Sequence, residues 1–356
     1  MILLNPGPVN VSPRVTAALA RGDMCHREPE CTALLRGIRS RLVQAFAPAG
    51  GFTAVLLTGS GTAALEAAVT SVLSATGKLV VVANGVYGER IADMAAAARL
   101  PATVVKADWM KPPDLDAVER AVREPGVEAV AVVHHETTTG LRNPVADVGA
   151  IARRHGKLLL VDSVSGLAGD ALDFDAAGAD LVVGTANKCI QGLPGMAFVL
   201  VRESAMERIA TYPRRSLYLS LAVHHEAARR DSTPFTPTIQ IGYAFDEALA
   251  ELLEEGVAAR VARYAAAASQ LREGFARLGL ECVLPPALRS NSITSVWFPK
   301  GQTYAGLHDG LKARGFVIYE GQGELAKRLF RVANMGALRC EDFSRFLAAL
   351  GEVLAA

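Results

Sequence analysis

The chain lacks long apolar runs, a surplus of charge and paired cysteines, and each absence removes a class of protein. None of its apolar runs in 356 residues approaches the ~20 needed to cross a bilayer. The opening Met1-Ile2-Leu3-Leu4-Asn5-Pro6-Gly7-Pro8 is too short for a signal peptide and has no basic flank. A soluble, cytoplasmic protein without a membrane partner is therefore expected. Lysine and arginine total 37 against 36 acidic residues, a formal net charge of +1, and no long basic run occurs. Nucleic acid is not an expected partner. The five cysteines (Cys25, Cys31, Cys189, Cys282, Cys340) are scattered without any C-x-x-C pair, so neither a disulfide framework nor a zinc site is expected. No internal repeat is visible, and no low-complexity tract beyond an enrichment in alanine.

What is present is 51% hydrophobic content in a chain long enough for a large core and two domains. Residues 1–13 hold three prolines and read as an extended arm. A helical stretch follows, then an amphipathic helix over 32–46 with Leu34, Leu35, Ile38, Leu42, Val43 and Phe46 on one face. Short apolar runs then recur near 54–57, 79–83, 102–105, 128–133, 158–161, 180–183 and 196–201. Most are separated by alanine-rich helical segments such as 62–73, 89–98, 115–123 and 145–155. Strand–helix alternation predicts an α/β fold whose seven-stranded, mostly parallel sheet is flanked by helices. The run 196–201 follows 180–183 after only a short loop, which suggests a local hairpin and one strand of opposite direction. After Pro237 come long helices over 239–253 and 257–278, then strands at 292–298, 316–319 and 329–332 with helices near 304–314 and 340–354. A large domain (14–245) and a smaller α/β unit (246–356, with the arm 1–13) are the expected division, without a floppy linker.

Three chemical groups stand at the ends of apolar runs. Leu158-Leu159-Leu160-Val161 ends in Asp162, Leu181-Val182-Val183 leads to Lys188, and Ala54-Val55-Leu56-Leu57 opens into Thr58-Gly59-Ser60-Gly61-Thr62. Ligands bind such folds at the carboxyl ends of parallel strands. A lysine amine, a carboxylate and an anion-cradling helix start are together the handles of pyridoxal 5'-phosphate: its aldehyde, its pyridine nitrogen and its phosphate. Each has a plainer reading. The glycine loop can be a capped helix start, Asp162 a helix cap or surface aspartate, and Lys188 a solvated lysine. The small and polar sequence around Lys188, Thr185 through Gly195, favours a ligand floor. A lysine in such a pocket can act as nucleophile and then as proton carrier.

Other chemistries fit less well. Gly59, Gly61 and Ala64 match the loose G-x-G-x-x-A dinucleotide pattern, but the next run ends in Asn84-Gly85 where an acidic residue should grip the ribose. No Gly-Lys-Ser/Thr follows for a P-loop, and Thr58 stands where a nucleophile elbow needs glycine. Tyr87 follows a strand and either stacks on an aromatic cofactor or caps the core. His134 and His135 are adjacent on a strand, point to opposite faces and make poor co-ligands for one metal. Thr137 or Thr138 can donate to a phenolic oxygen or simply end the strand. Arg331 interrupts an apolar strand and either grips an acid group or faces solvent.

Several strings together resemble the class V aminotransferases of the fold-type I pyridoxal-phosphate enzymes. They are Leu3-Leu4-Asn5-Pro6-Gly7-Pro8-Val9, Thr58-Gly59-Ser60-Gly61-Thr62, His135-Glu136-Thr137-Thr138-Thr139-Gly140, Arg215-Ser216-Leu217 and, most specific, Asn187-Lys188-Cys189-Ile190-Gln191-Gly192-Leu193-Pro194-Gly195. The likeness runs over nearly the whole chain. Within the family it is nearest to enzymes that transaminate 2-aminoethylphosphonate with pyruvate. It implies that Lys188 binds the cofactor covalently and that Asp162 faces the pyridine nitrogen. It also implies that Ser60, Gly61 and Thr62 hold the phosphate, that Tyr87 stacks on the ring, and that Thr137 lies near the phenolic oxygen. Arg331 matches the arginine that grips the substrate's acid group. Thr236 matches a segment that reaches the neighbouring subunit's phosphate, which implies a homodimer with shared sites. The chain departs from the family pattern at Cys25-His26-Arg27-Glu28-Pro29-Glu30, and has Asp162-Ser163-Val164-Ser165-Gly166 where an Ala-Met-Ser type is familiar.

Overall fold

Buried strands of a parallel sheet must be apolar on both faces, and the inner runs obey this, whereas the edge run Ala102–Lys106 is mostly half-buried and ends in an exposed lysine. In the computed structural model, which describes residues 1–355, they form β1 (Phe52–Gly59), β2 (Lys78–Ala83), β3 (Ala102–Lys106), β4 (Val127–Val133), β5 (Leu158–Asp162), β6 (Leu181–Thr185) and β7 (Gly195–Arg202). They make one seven-stranded sheet in the order β1-β7-β6-β5-β4-β2-β3. All pairings are parallel except those of β7, which runs antiparallel to both β1 and β6. The expected hairpin is therefore present, and β7 also separates β6 from β1.

Helices cover both faces. On one side pack α1 (Pro29–Phe46) and the helices Leu115–Val122 and Val145–Arg154. On the other pack α2 (Gly61–Ser71) and α3 (Val86–Ala97). Alternation along the strands fixes which face each side chain meets. Leu159 and Val161 point to the α1 side, while Leu158 and Leu160 point to the α2–α3 side. Asp162 follows in that second series. It thus faces the starts of α2 and α3, in register with Val133 and Val183.

The chain continues through α4 (Ile239–Glu255) and α5 (Val257–Arg277), parted by Gly256 at φ +84°. Position 245, where the large unit was expected to end, lies within α4, whose Phe245, Ala248 and Leu249 pack in the core beside α1. The smaller unit has an antiparallel sheet of β8 (Ile293–Trp297), β9 (Tyr319–Glu320) and β10 (Leu329–Ala333), in the order β8-β10-β9. The single strand expected over 316–319 is divided. Phe316–Val317 pairs in parallel with Ile2–Leu3 of the arm, Ile318 is buried, and Tyr319–Glu320 pairs with β10. This pins the arm: Ala333 N–H donates to the Leu4 carbonyl at 2.7 Å. No described helix is long and apolar enough to cross a membrane.

Candidate active site

Lys188 follows the carboxyl end of β6, with the arm against it and the charges of Asp162 at the end of β5 and Arg90 in α3 near it. Its Nζ donates to the Pro6 carbonyl. The arm passes so close that a Cβ on Gly7, which has φ +107°, would lie 2.8 Å from Lys188 Nζ. Only glycine combines that backbone with that approach. No carboxylate stands within ion-pair distance of Lys188 among the described residues. Burial lowers its pKa to about 8, and the charges of Arg331 and Arg90 push in the same direction against those of Cys189 and Asp162.

Asp162 is 3% exposed, so it is not a surface residue, and it ends β5 without capping any described helix. One oxygen accepts from Val164 N–H at 3.0 Å. Burial raises its pKa to about 6; the Val164 N–H opposes the rise, and the Glu136 charge adds to it. A carboxylate held this way is short of a cation. A pyridinium N–H fits such a carboxylate in its chemistry.

At the anion loop, Ser60 is the N-cap of α2, yet its side chain makes no capping bond. The hydroxyls of Ser60 and Thr62 are exposed; Ala63 N–H donates to the Ser60 carbonyl at 2.9 Å, which leaves the Gly61 and Thr62 N–H groups of an eleven-residue helix for an outside acceptor. Gly61 is buried against Val164 and Thr185, which places the loop beside the Asp162 strand end. Tyr87 is half-buried near the start of α3, with the Arg90 guanidinium 4.6 Å from its ring centroid.

Arg331 is 3% exposed, which excludes the solvent-facing alternative. Its Nε donates to the Glu320 carbonyl at 3.0 Å, and Nη1 to the Thr137 carbonyl at 2.9 Å and to Gln322 Oε1 at 3.1 Å. All three acceptors are neutral, so the positive charge has no carboxylate partner among the described residues. Thr137 is buried, and its hydroxyl donates to Ser165 Oγ at 2.8 Å. Thr236 is exposed and shares no hydrogen bond with the residues around Lys188. The departing segment 25–30 is mostly exposed and runs into α1, and its hydrogen bonds outside that helix join only residues 25–32.

The histidines behave as alternation requires. His134 meets Ser163 Oγ at 3.0 Å, whereas His135 lies 3.3 Å from both the Ser165 carbonyl and Ser292 Oγ. No group of three metal-ligating side chains occurs among the described residues. Asn84, where a dinucleotide site needs an acid, is tied to Asn143 and to the Lys111 carbonyl.

Three partners escaped the sequence reading. Gln322 helps hold Arg331, Arg90 lies over Tyr87, and Glu136 is buried between Thr138 and the start of α3. A buried glutamate beside a glycine-led helix is the signal that could have found the last. An amine, a carboxylate and a guanidinium that each lack an ion-pair partner among the described residues, with an open helix start beside the Asp162 strand end, fit an aromatic aldehyde that carries a phosphate, together with an anionic substrate.

The family model for class V aminotransferases matches residues 12–336. The chain is 39% identical to a 2-aminoethylphosphonate–pyruvate transaminase of Syntrophobacter fumaroxidans, over 99% of this chain and 96% of that protein. It is 38% identical to the protein of the same name from Vibrio cholerae, over 98% and 96%. Among solved structures, a pyridoxamine–pyruvate aminotransferase from Mesorhizobium loti superposes with a TM-score of 0.92 at 30% identity, covering 100% of this chain and 92% of that one.

Proposed function

Because this chain belongs to the class V aminotransferases and depends on pyridoxal 5'-phosphate, we propose that it transfers the amino group of 2-aminoethylphosphonate to pyruvate, giving phosphonoacetaldehyde and alanine. The observation that carries the reading is the near-full-length likeness, at 39% identity, to a transaminase named for that pair. The buried, carboxylate-free guanidinium of Arg331 supports it, since both substrates present an anion.

The bound cofactor supplies an aldehyde that takes up the amino group and a ring that withdraws electrons from the carbon bearing it. Lys188 Nζ forms the covalent tether. Asp162 holds a proton on the ring nitrogen through its buried carboxylate. The Ser60 and Thr62 hydroxyls and the N–H groups at the start of α2 grip the phosphate. Tyr87 stacks on the ring, and Thr137 stands near its phenolic oxygen. Arg331, fixed by three neutral acceptors, orients first the phosphonate and then the pyruvate carboxylate.

Freed Lys188 Nζ takes the proton from the amine-bearing carbon of the first substrate. In the second half it delivers a proton to the former keto carbon of pyruvate, which leaves as alanine. A pKa lowered to about 8 gives the neutral amine an appreciable share near neutral pH. Such acid–base work contributes roughly 10²–10⁴-fold.

In this reading residues 14–245 form the cofactor unit. The arm and residues 246–356 add the Pro6 carbonyl and Arg331. The enzyme is a homodimer in which Thr236 of one protomer reaches the phosphate held by the other. Exposed Leu217 and Tyr218 support a covered surface there; the Tyr218 ring lies 4.9 Å from Phe235 and its hydroxyl donates to the Thr58 carbonyl just before the anion loop. Five unpaired cysteines suit a reducing cytoplasm. Amino-acid product, alanine from pyruvate and glycine from glyoxylate, measured with 2-aminoethylphosphonate, alanine and serine as donors, tests the assignment. The highest kcat/KM should fall on 2-aminoethylphosphonate with pyruvate; a preference for alanine with glyoxylate would overturn it.

A further inference from the structure

We propose that Glu136 is a positioning residue that fixes the first turn of α3, and with it the Tyr87 ring, against the cofactor. The inference rests on the stacking role given to Tyr87 above.

Glu136 is fully buried. A carboxylate in that position is costly unless it is paired or hydrogen-bonded. It makes no ion pair within 4.0 Å among the described residues, and burial raises its pKa. Its oxygens are nonetheless well supplied with donors. Oε1 accepts from the Thr138 hydroxyl at 2.6 Å, Thr138 N–H at 3.2 Å and Tyr87 N–H at 3.4 Å, and Oε2 accepts from Gly88 N–H at 3.2 Å.

Two of those donors belong to the opening turn of α3. That helix has no cap of its own, because its N-cap is Gly85. Val86 N–H instead donates to the Thr138 hydroxyl at 2.9 Å. Residues 136–138 thus cap α3 from roughly fifty positions away in the chain. A negative group there also suits the positive end of the helix. Gly85 makes the approach feasible, since any Cβ on it would overlap the Glu136 carboxyl. The same short segment holds Thr137, whose carbonyl orients Arg331. One segment therefore sets the height of the stacking ring and the aim of the anion-binding arginine.

The test is a double-mutant cycle on cofactor affinity, read by titrating apoprotein with pyridoxal 5'-phosphate and following the visible absorption band. Glu136→Gln turns one acceptor oxygen into a donor facing N–H or O–H groups. It should weaken affinity roughly tenfold when Tyr87 is present. In a Tyr87→Ala background the same change should cost less than about twofold, because the ring it positions is gone. Thr138→Val, which loses the hydroxyl, should reproduce the effect, and Thr138→Ser should restore it. If Glu136→Gln does not fold, Thr138→Val takes its place in the cycle with the same expectation. An equal penalty with and without Tyr87, or none with Tyr87 present, overturns the proposal. If Tyr87→Ala alone leaves affinity unchanged, the stacking role itself is wrong and the proposal falls with it.

Discussion

Replacing Asp162 by Asn should stabilise the cofactor-free protein while weakening its grip on the cofactor. Burial raises the folded-state pKa of Asp162 from 3.8 to about 6. The unfolded chain ionises this group first, so folding stability falls as pH rises from near 4 to about 6 and the deficit then persists. A shift of about two units corresponds to about 3 kcal/mol near pH 8, and linkage gives about half of that near pH 5. Asparagine keeps an oxygen for Val164 N–H and does not ionise. The variant apoprotein should therefore melt a few degrees higher than wild type near pH 8, with the gap roughly halved near pH 5. Saturating cofactor should reverse the order. A pyridinium about 4 Å away returns on the order of 4 kcal/mol at an effective dielectric of 20, which the amide cannot do. Thermal denaturation of both proteins, with and without cofactor, at both pH values is the assay. An Asn variant that melts lower than wild type as apoprotein near pH 8, or gains as much as wild type from the cofactor, would refute the reasoning.

Lys188→Ala should abolish turnover while leaving the far-ultraviolet dichroism and melting cooperativity of the apoprotein intact; retained wild-type turnover would remove the lysine from its role. The amine-donating half-reaction, followed by absorbance, should accelerate as pH rises toward about 8, because only the neutral Lys188 amine accepts a proton. A rate that falls over that range contradicts the assignment. Arg331→Gln should raise the KM for both 2-aminoethylphosphonate and pyruvate by roughly 10²-fold, the worth of one or two charged hydrogen bonds; an effect on one substrate alone would mean that the two anions use different sites. Gly7→Ala should impair turnover and also lower stability by about 1 kcal/mol or more, since its Cβ would meet Lys188 at 2.8 Å on a backbone at φ +107°; unchanged kcat would show that the arm does not shape the site.

The sequence carried the sheet because strands buried on both faces are written as short unbroken apolar runs, and it carried Asp162 and the anion loop because each ends such a run. What it did not carry depends on contacts between distant segments. Pro6 and Lys188 meet across 182 positions, and nothing local to either predicts the other. Arg331 on its own suits a solvent-facing strand; its burial follows from the pairing of β10 with β8 and β9 and from the Thr137 carbonyl. The split at Ile318 has no local signal, because periodicity reads 316–319 as one strand, whereas its two ends pair with different partners. From its local sequence Glu136 is only a polar residue at a strand end, since its value comes from a helix that begins at Val86.

The most direct test is to reduce the cofactor-loaded protein with borohydride and map the modified peptide by mass spectrometry. The adduct should fall on the ε-nitrogen of Lys188, accompanied by bleaching of the yellow band. A protein that takes up no pyridoxal 5'-phosphate, or that carries the adduct on another lysine, would contradict the account.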